Sequence, residues 1–136
     1  MSEKSLLDGL RVVELATFVF GPAAGTVLAD FGADVVHIEH PQIGDAYRYL
    51  TQLRPMPACV DNYCWILTAR GKRSIALDLH RAAGRAVALE LVRRADVFIT
   101  NLQRAGVLAV VRGSLFAEIV EFELAVDSRR GRDGAA

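Results

Sequence analysis

The chain has 136 residues, of which 52% are apolar, so its length and composition fit one packed domain. Sixteen basic and sixteen acidic side chains cancel to a formal net charge of zero, which gives no support for a nucleic-acid or anionic-membrane partner. The N-terminus has no basic segment followed by an apolar core, and no apolar run approaches the ~20 residues that span a bilayer. We therefore expect a soluble, cytoplasmic protein with neither nucleic acid nor membrane as a partner.

The first half of the chain has the pattern of a strand, a bend, a helix and a second strand. The apolar segment RVVELA (11–16) is followed by a Gly-Pro bend, as is typical of a buried parallel strand. Pro22 suits the first turn of a helix, where its missing N–H is not needed, and Gly32 is a good helix stop. We therefore predict a short helix between Gly21 and Gly32, and a second strand at DVVHIE (34–39).

The second half repeats this alternation. Its predicted elements are a strand at SIALDL (74–79), an amphipathic helix at RAAGRAVALELVRRA (81–95) and a strand at DVFITN (96–101). Strands that alternate with helices favour an α/β fold with a parallel sheet and flanking helices. A long connection (41–70) separates the two halves, and its WILTA segment could form a short helix that packs Trp65 and Leu67.

The bend GPAAG (21–25) is the first candidate ligand site. A bend that leads into a helix N-terminus presents free backbone N–H groups and the positive end of the helix dipole, and both favour a phosphate. Glu39 ends the second strand, where an acidic residue would hold a ribose hydroxyl of a dinucleotide. However, GPAAG is not the GxGxxG of dinucleotide-binding loops, and a bend that merely joins a strand to a helix is the alternative.

Two more signals come from polar residues near predicted strands. Arg70, Lys72 and Arg73 cluster before the third strand, where they could meet a ligand with several phosphates or form a solvated basic turn. Asn101 lies at the carboxyl end of the fourth strand, which is where ligands bind in open α/β sheets.

The cysteines and histidines do not predict a metal site. Cys59 and Cys64 match no zinc or redox spacing and are expected to be ordinary reduced thiols. His37 and His40 are an odd number of positions apart, so a strand would point them to opposite faces.

Taken together, these motifs resemble the N-terminal part of the family III CoA-transferases (CaiB/BaiF), which include formyl-CoA transferase, carnitine CoA-transferase and α-methylacyl-CoA racemase. The segments that carry the resemblance, in the family's order and spacing, are LLDGLRVVELATFVFGPAAGTVLADFGADVVHIEHPQIGD (6–45), GKRSIALDL (71–79) and ADVFITNLQRAGVL (95–108). The resemblance implies a partial Rossmann-like sheet that helps to bind CoA. It also implies CoA or an acyl-CoA as substrate, no covalently bound cofactor, and interlocked dimers in which two chains thread through each other.

The resemblance assigns CoA contacts position by position. The loop before the Gly-Pro bend would line the nucleotide, His40 stands where the family usually has a basic residue, and Leu77 would lie near the adenine. Leu102 stands where an aromatic residue is common, and Ala69 where an asparagine is frequent, so the predicted affinity for CoA is lowered. The predicted CoA-binding residues are Val19, Phe20, His40, Lys72, Arg73, Leu77, Asn101 and Leu102.

The family's transfer chemistry depends on an aspartate that attacks the acyl-CoA carbonyl to form a mixed anhydride. That aspartate would lie beyond the matched segment, and Asp127 and Asp133 lack the family's surrounding sequence, so we predict no catalytic residue in this chain. The expected organisation is a CoA-binding segment at 1–110 followed by a divergent, partly disordered tail at 111–136.

Three functions follow as expectations. The chain is a family III CoA-transferase homologue that is truncated and inactive alone, or a non-catalytic CoA- or partner-binding half domain that another polypeptide completes. An NAD-binding module is the third alternative, which the glycine pattern disfavours. The uncovered edges and faces of a partial sheet predict self-association or a complementing chain.

Overall fold

A four-stranded parallel sheet forms the centre of the molecule. The structure is a computed structural model that describes residues 5–52, 56–57 and 59–102. The strands are β1 (Arg11–Leu15), β2 (Asp34–Glu39), β3 (Arg73–Ala76) and β4 (Val97–Thr100), in the spatial order β3-β2-β1-β4. In the register of the sheet, Val13 of β1 lies between Val36 of β2 and Phe98 of β4. The predicted α/β class with a parallel sheet is confirmed.

Helices flank this sheet. They are α1 (Phe20–Asp30), α2 (Tyr63–Ala69) and α3 (Ala82–Arg94), and a 3-10 helix (Ala46–Gln52) precedes α2. The first helix begins before the predicted Gly-Pro bend, and the chain leaves it through Gly32, whose φ of +99° suits glycine. Among the described residues, no helix is long and apolar enough to cross a membrane.

The alternation of side chains along the strands creates two apolar layers. On one face, Val13, Leu15 and Ile38 pack with Ala88 and Val92 of α3. The other face packs the side chains of Val12, Ala33 and Val35 against apolar residues of α1, including Leu28 and Ala29. Both faces of β1 are therefore covered, which explains why Val12, Val13 and Leu15 are apolar although they point to different faces.

Several predicted boundaries differ from the observed ones. The predicted third strand (74–79) is wrong beyond Ala76, because β2 ends at Glu39 and offers no further register partner. The backbone N–H of Leu77 donates a last hydrogen bond to the Glu39 carbonyl, and the chain then turns. The first strand ends at Leu15 and the fourth spans Val97–Thr100, each slightly shorter than predicted.

The short helix predicted at WILTA is present within α2, but the prediction that Leu67 packs is wrong. This helix buries Cys64 and Thr68, which are one helical turn apart, whereas Ile66 and Leu67 lie on its exposed side. Leu67 is 62% exposed, whereas Trp65 is partly buried. The predicted tail at 111–136 lies outside the described residues.

The contact of α1 with β1 depends on Gly25. A Cβ atom at this position would overlap the Glu14 carboxylate and would lie 3.1 Å from the Lys72 Nζ. Glu14 is fully buried, so its side chain has little freedom to move away. Glycine is therefore required here by close packing of the helix on the sheet, although it weakens the helix by itself.

We predict that Gly25→Ala lowers the free energy of unfolding by about 1–3 kcal/mol, because overlap with Glu14 exceeds the ~1 kcal/mol gain in helix propensity. Chemical denaturation would measure the loss. Ala24→Gly, on the exposed side of the same turn, should cost only about 1 kcal/mol through propensity. A Gly25→Ala variant at least as stable as the native chain would contradict the prediction.

Candidate functional site

A cavity of about 370 Å³ opens at the carboxyl edge of the sheet. The ends of β1 and β2 form its floor, and the segments that follow β2, β3 and β4 form its walls. Its apolar lining consists of Leu15, Ile38, Ile43, Leu77, Leu79 and Leu102. The volume lies in the range of small-molecule sites, and an apolar lining with a few polar groups is typical of such sites.

Three histidines, His37, His40 and His80, contribute to the lining of this cavity. The rings of His40 and His80 are 6.5 Å apart in an edge-on arrangement, and both residues line the cavity. The Nδ1 atom of His40 accepts hydrogen bonds from the backbone N–H groups of Gln42 and Ile43, at 3.2 and 3.4 Å. Neutral His40 therefore carries its proton on Nε2, and that N–H can be donated to a ligand.

Glu39 is committed to protein contacts. Its carboxylate accepts two hydrogen bonds of 2.6 Å from the Arg48 guanidinium and a third of 2.6 Å from the Ser74 hydroxyl. Burial alone would raise its pKa, but the hydrogen bonds from Arg48 and Ser74 lower the pKa of Glu39 to about 2. The Arg48 guanidinium also stacks 3.8 Å from the centre of the Trp65 ring. Since these oxygens are occupied, Glu39 does not offer the free carboxylate that a dinucleotide ribose requires.

The side chain of Asn101 holds the loop that leads into α1 by hydrogen bonds to its backbone. Its Oδ1 accepts a hydrogen bond of 2.9 Å from the Thr17 backbone N–H, and its Nδ2 donates one of 2.6 Å to the Thr17 carbonyl. This two-point contact joins the end of β4 to the end of β1. Asn101 therefore shapes the edge of the cavity through Thr17, which lines it.

The predicted basic cluster is dispersed into separate ion pairs. Its members pair with acidic residues from other parts of the chain, as Arg70–Asp30, Lys72–Glu14 and Arg73–Asp34. Because β3 begins at Arg73, its pair with Asp34 lies at the amino edge of the sheet, opposite the cavity.

Lys72 lies beneath α1 and not at the cavity. Its Nζ donates hydrogen bonds to the Glu14 carboxylate at 2.7 Å and to the Pro22 carbonyl at 2.6 Å, and its side chain is only 3% exposed. Burial lowers the pKa of Lys72, although the hydrogen bond to Glu14 offsets part of this effect. In this arrangement Lys72 has a structural role.

The structure thus brings together some of the residues predicted to bind CoA and separates others. His40, Leu77 and Leu102 line the cavity, and Asn101 acts on its edge. Val19 and Phe20 lie at the start of α1, where they are 38% and 88% exposed. Lys72 and Arg73 are outside the cavity and paired with carboxylates.

Sequence reasoning missed His80, Leu79 and Asp45, all of which line the cavity. His80 and Leu79 follow the true end of β3, so a correct boundary would have placed them at the ligand-binding edge. Asp45 belongs to the long connection, whose path is set by tertiary contacts. Among the described residues, no three His, Cys, Asp or Glu side chains are grouped as a metal site would require.

Comparison with known proteins identifies the class to which this fold and cavity belong. The family model described as CoA-transferase family III matches residues 7–112. The chain therefore belongs to the CoA-transferase family III.

Its similarity to characterised relatives is moderate and covers only part of them. It is 44% identical over 108 residues to succinate–glutarate CoA-transferase of Agrobacterium fabrum, covering 77% of this chain and 27% of the relative. Over 102 residues it is 36% identical to the succinyl-CoA–L-malate CoA-transferase alpha subunit of Chloroflexus aurantiacus, covering 74% of this chain and 23% of that one. The chain thus spans about a quarter of the length of these relatives.

Solved structures agree with this assignment. A CaiB/BaiF family protein from Brucella suis is similar with a TM-score of 0.68 and 38% identity, over 79% of this chain and 29% of that protein. The Mycobacterium tuberculosis protein Rv3272 has a TM-score of 0.60 and 36% identity, over 69% of this chain and 26% of its own.

We predict that Glu39→Gln lowers the free energy of unfolding at pH 7 by about 2 kcal/mol, allowing for solvent screening at the partly exposed Arg48. The pKa of Glu39 is lowered from 4.5 to about 2, so its contribution is present above the unfolded pKa and is lost as the pH falls toward 2. Denaturant titrations between pH 7 and pH 2.5 should therefore show that the free energy of unfolding falls more steeply with pH in the native chain than in the variant.

Asp34→Asn is the matched control, because its pair with Arg73 is exposed at both partners. Its effect should stay below about 0.5 kcal/mol. Equal acid sensitivity of the native chain and Glu39→Gln would refute the role assigned to Glu39.

Proposed function

We propose that the carboxyl edge of the sheet binds the nucleotide end of CoA or an acyl-CoA. In this proposal the segment belongs to a cytoplasmic enzyme that transfers CoA between an acyl-CoA and a carboxylic acid. One observation carries the proposal: His40, Leu77 and Leu102, which come from three separate parts of the sequence, line one cavity.

The chemistry of the cavity fits an adenine nucleotide. Leucine side chains can pack on the flat faces of an adenine ring, since the gain depends on apolar area removed from water. The Nε2–H group of His40 and the ring of His80 can donate hydrogen bonds to phosphate oxygens. The N-terminus of α1, at Val19 and Phe20, adds backbone N–H groups and the positive end of the helix dipole.

We limit the proposal for the described residues to binding. The relatives are named as enzymes that act on succinyl-CoA, glutarate, malate and related substrates, and these activities belong to much longer chains. Transfer would require a carboxylate nucleophile, which the family resemblance places outside the described residues. A further polypeptide segment, in the same or another chain, would supply it. The engaged carboxylate of Glu39 argues against NAD as the ligand.

We predict that Leu77→Ala weakens binding of CoA about three- to tenfold, because it removes apolar contact in the cavity. Isothermal titration calorimetry with CoA, adenosine 3′,5′-bisphosphate and NAD would measure this change. We expect the bisphosphate to retain much of the affinity for CoA, and NAD to bind more weakly than either. Thermal unfolding of each variant would show that binding is compared between folded proteins.

Leu6→Ala is the matched control, since Leu6 is exposed and does not line the cavity. It should bind CoA as the native chain does. The proposal would be wrong if the folded native protein bound no CoA, or if it preferred NAD.

We also propose that the exposed apolar surface of α1 and α2 mediates association with a second copy or a complementing chain. Among its exposed side chains are Phe20, Val27, Phe31, Ile66 and Leu67. Exposed apolar side chains on neighbouring helices are a common feature of protein interfaces.

We predict that Val27→Glu, at a position that is 51% exposed, shifts the protein toward the monomer with little change in stability. Sedimentation velocity over a range of concentrations would test this. Val87→Glu, at an exposed position of α3 that is 44% accessible, is the control and should leave association unchanged. A native protein that is monomeric at all concentrations would rule out association with a second copy. Sedimentation of a mixture with a candidate partner would then test association with a complementing chain.

A further inference from the structure

A row of buried ionisable side chains lies beneath the loop that leads into α1. It runs Lys72, Glu14, His37 and Asp45, and the exposed fractions of their side chains are 3%, 0%, 5% and 1%. Lys72 Nζ lies 2.7 Å from one oxygen of Glu14, and His37 Nδ1 lies 2.6 Å from the other. This row adjoins the Glu39–Arg48 pair, because the Asp45 backbone N–H donates a hydrogen bond of 3.2 Å to Glu39 Oε2.

The contacts of Glu14 determine where His37 carries a proton. Paired with Lys72, Glu14 is a carboxylate and can only accept hydrogen bonds. The short contact with His37 Nδ1 therefore requires a hydrogen on that nitrogen. A neutral His37 would consequently present a bare lone pair at Nε2, whereas an imidazolium would present an N–H.

The other ring nitrogen faces Asp45. His37 Nε2 lies 3.7 Å from Asp45 Oδ2, and among the described residues neither of these buried atoms has a hydrogen-bond partner. A lone pair that faces a carboxylate oxygen in a buried setting leaves both acceptors unsatisfied, which is costly. An imidazolium N–H can satisfy both after a closure of less than about 1 Å. Protonation of His37 would therefore draw the Asp45 carboxylate closer to His37 Nε2.

The second oxygen of Asp45 connects the row to the loop before α1. Asp45 Oδ1 accepts a hydrogen bond of 2.7 Å from the Tyr47 backbone N–H and a longer one of 3.5 Å from the Phe18 N–H. Phe18 has a φ of +64°, which is unfavourable for a residue with a Cβ and persists only where the surroundings hold it. Its ring also meets Tyr47 edge-on, with centroids 6.4 Å apart. The position of Asp45 therefore helps to fix Phe18, and with it the adjoining Val19.

We propose that His37 and Asp45 are positioning residues for the loop 17–19, and that the imidazolium form of His37 holds this loop in the conformation that binds CoA. The inference rests on the proposed function, because it names regulation of the same site. Its sign is definite: affinity for CoA falls as the pH rises through the titration of His37. Histidines titrate in the range of roughly pH 5 to 8, where such coupling would be felt.

The charged groups around His37 come from several elements and support this sign. They are Glu14 on β1, Glu39 on β2, Asp45 on the following loop, Arg48 on the 3-10 helix and Lys72 before β3. Glu39, with a pKa of about 2, stays ionised throughout the range in which histidines titrate. Glu39 therefore does not contribute to a change in this region near neutral pH, and the His37→Gln variant is needed to assign such a change to His37.

Trp65 provides a test that needs no ligand. It is the only tryptophan in the sequence, and its ring lies 5.9 Å from the ring of His37 in an edge-on arrangement. We expect Trp65 fluorescence to titrate with a single histidine-like step in the native protein and to lose that step in His37→Gln. The Phe18 amide resonance, observed after selective ¹⁵N labelling of phenylalanine, should shift with the same midpoint.

Calorimetry at pH 6 and pH 8 tests the coupling to CoA. For each protein we compare the dissociation constants for CoA at pH 8 and pH 6. We expect their ratio to be about five- to tenfold larger in the native protein than in His37→Gln, which is within the usual range of coupling between linked sites. The His37→Gln variant keeps His40, His80 and the ligand phosphates, so its own pH dependence is the reference for the native protein. Asp45→Asn should also lose the extra pH dependence, because its amide can donate to neutral His37 and needs no proton there.

The outcomes separate this inference from the proposed function. A Trp65 step that persists in His37→Gln, or a Phe18 amide that does not respond to pH in the native protein, would overturn the positioning role. Identical pH dependence of CoA binding in the native protein and both variants would overturn the coupling. If CoA binds none of them at either pH, the proposed function fails together with the coupling to CoA, while the Phe18 amide still decides whether His37 positions the loop.

Discussion

The buried carboxylate of Glu14 is the constraint on which the arrangement of the sheet, α1 and the adjoining loop depends. A charge without access to water is costly unless it is paired and hydrogen-bonded, so Glu14 requires both Lys72 and His37 at its two oxygens. Lys72 in turn reaches the Pro22 carbonyl, which ties the start of α1 to the turn before β3. A pair of this kind contributes little net stability relative to an apolar replacement, but removal of one partner leaves the other uncompensated. Its effect is to select one arrangement of the surrounding elements.

The same constraint explains why α1 lies so close to the sheet. Gly25 leaves room for the Glu14 carboxylate directly beneath the helix, and the Thr26 hydroxyl donates to the Thr68 carbonyl, which joins α1 to α2. The helix N-terminus is thereby held beside the carboxyl ends of the strands. Since parallel strands place their carboxyl ends at one edge, His40, Leu77 and Leu102 meet there although they are distant in sequence. The position of the cavity is thus a consequence of topology, and its polar character comes from the residues that follow each strand.

Sequence patterns predicted the elements of this fold better than the contacts between them. The second strand was predicted with its observed limits, and α1, α3 and the other strands were located with small errors at their ends, because apolar runs and Gly or Pro punctuation are local signals. The basic residues Arg70, Lys72 and Arg73 show what local signals omit. Their partners Asp30, Glu14 and Asp34 come from the first part of the chain, so only the folded structure reveals that these cations are already paired. The long connection posed the same difficulty for Asp45, since its role depends on His37 and Phe18.

The ion pairs formed by the basic side chains also determine which groups could bind an anion at the cavity. With Lys72, Arg73 and Arg48 each facing a carboxylate, the phosphates of a ligand at the cavity would meet His40 and His80 and the start of α1. Imidazoles and helix N–H groups bind phosphate more weakly than a cluster of arginines, and only the imidazoles gain charge as the pH falls. His40 and His80 would contact the ligand directly, whereas His37, which is almost fully buried at the base of the cavity, would act through the shape of the loop. Variants of His37 or Asp45, neither of which removes His40 or His80, therefore distinguish an effect on the loop from a direct contact with the ligand.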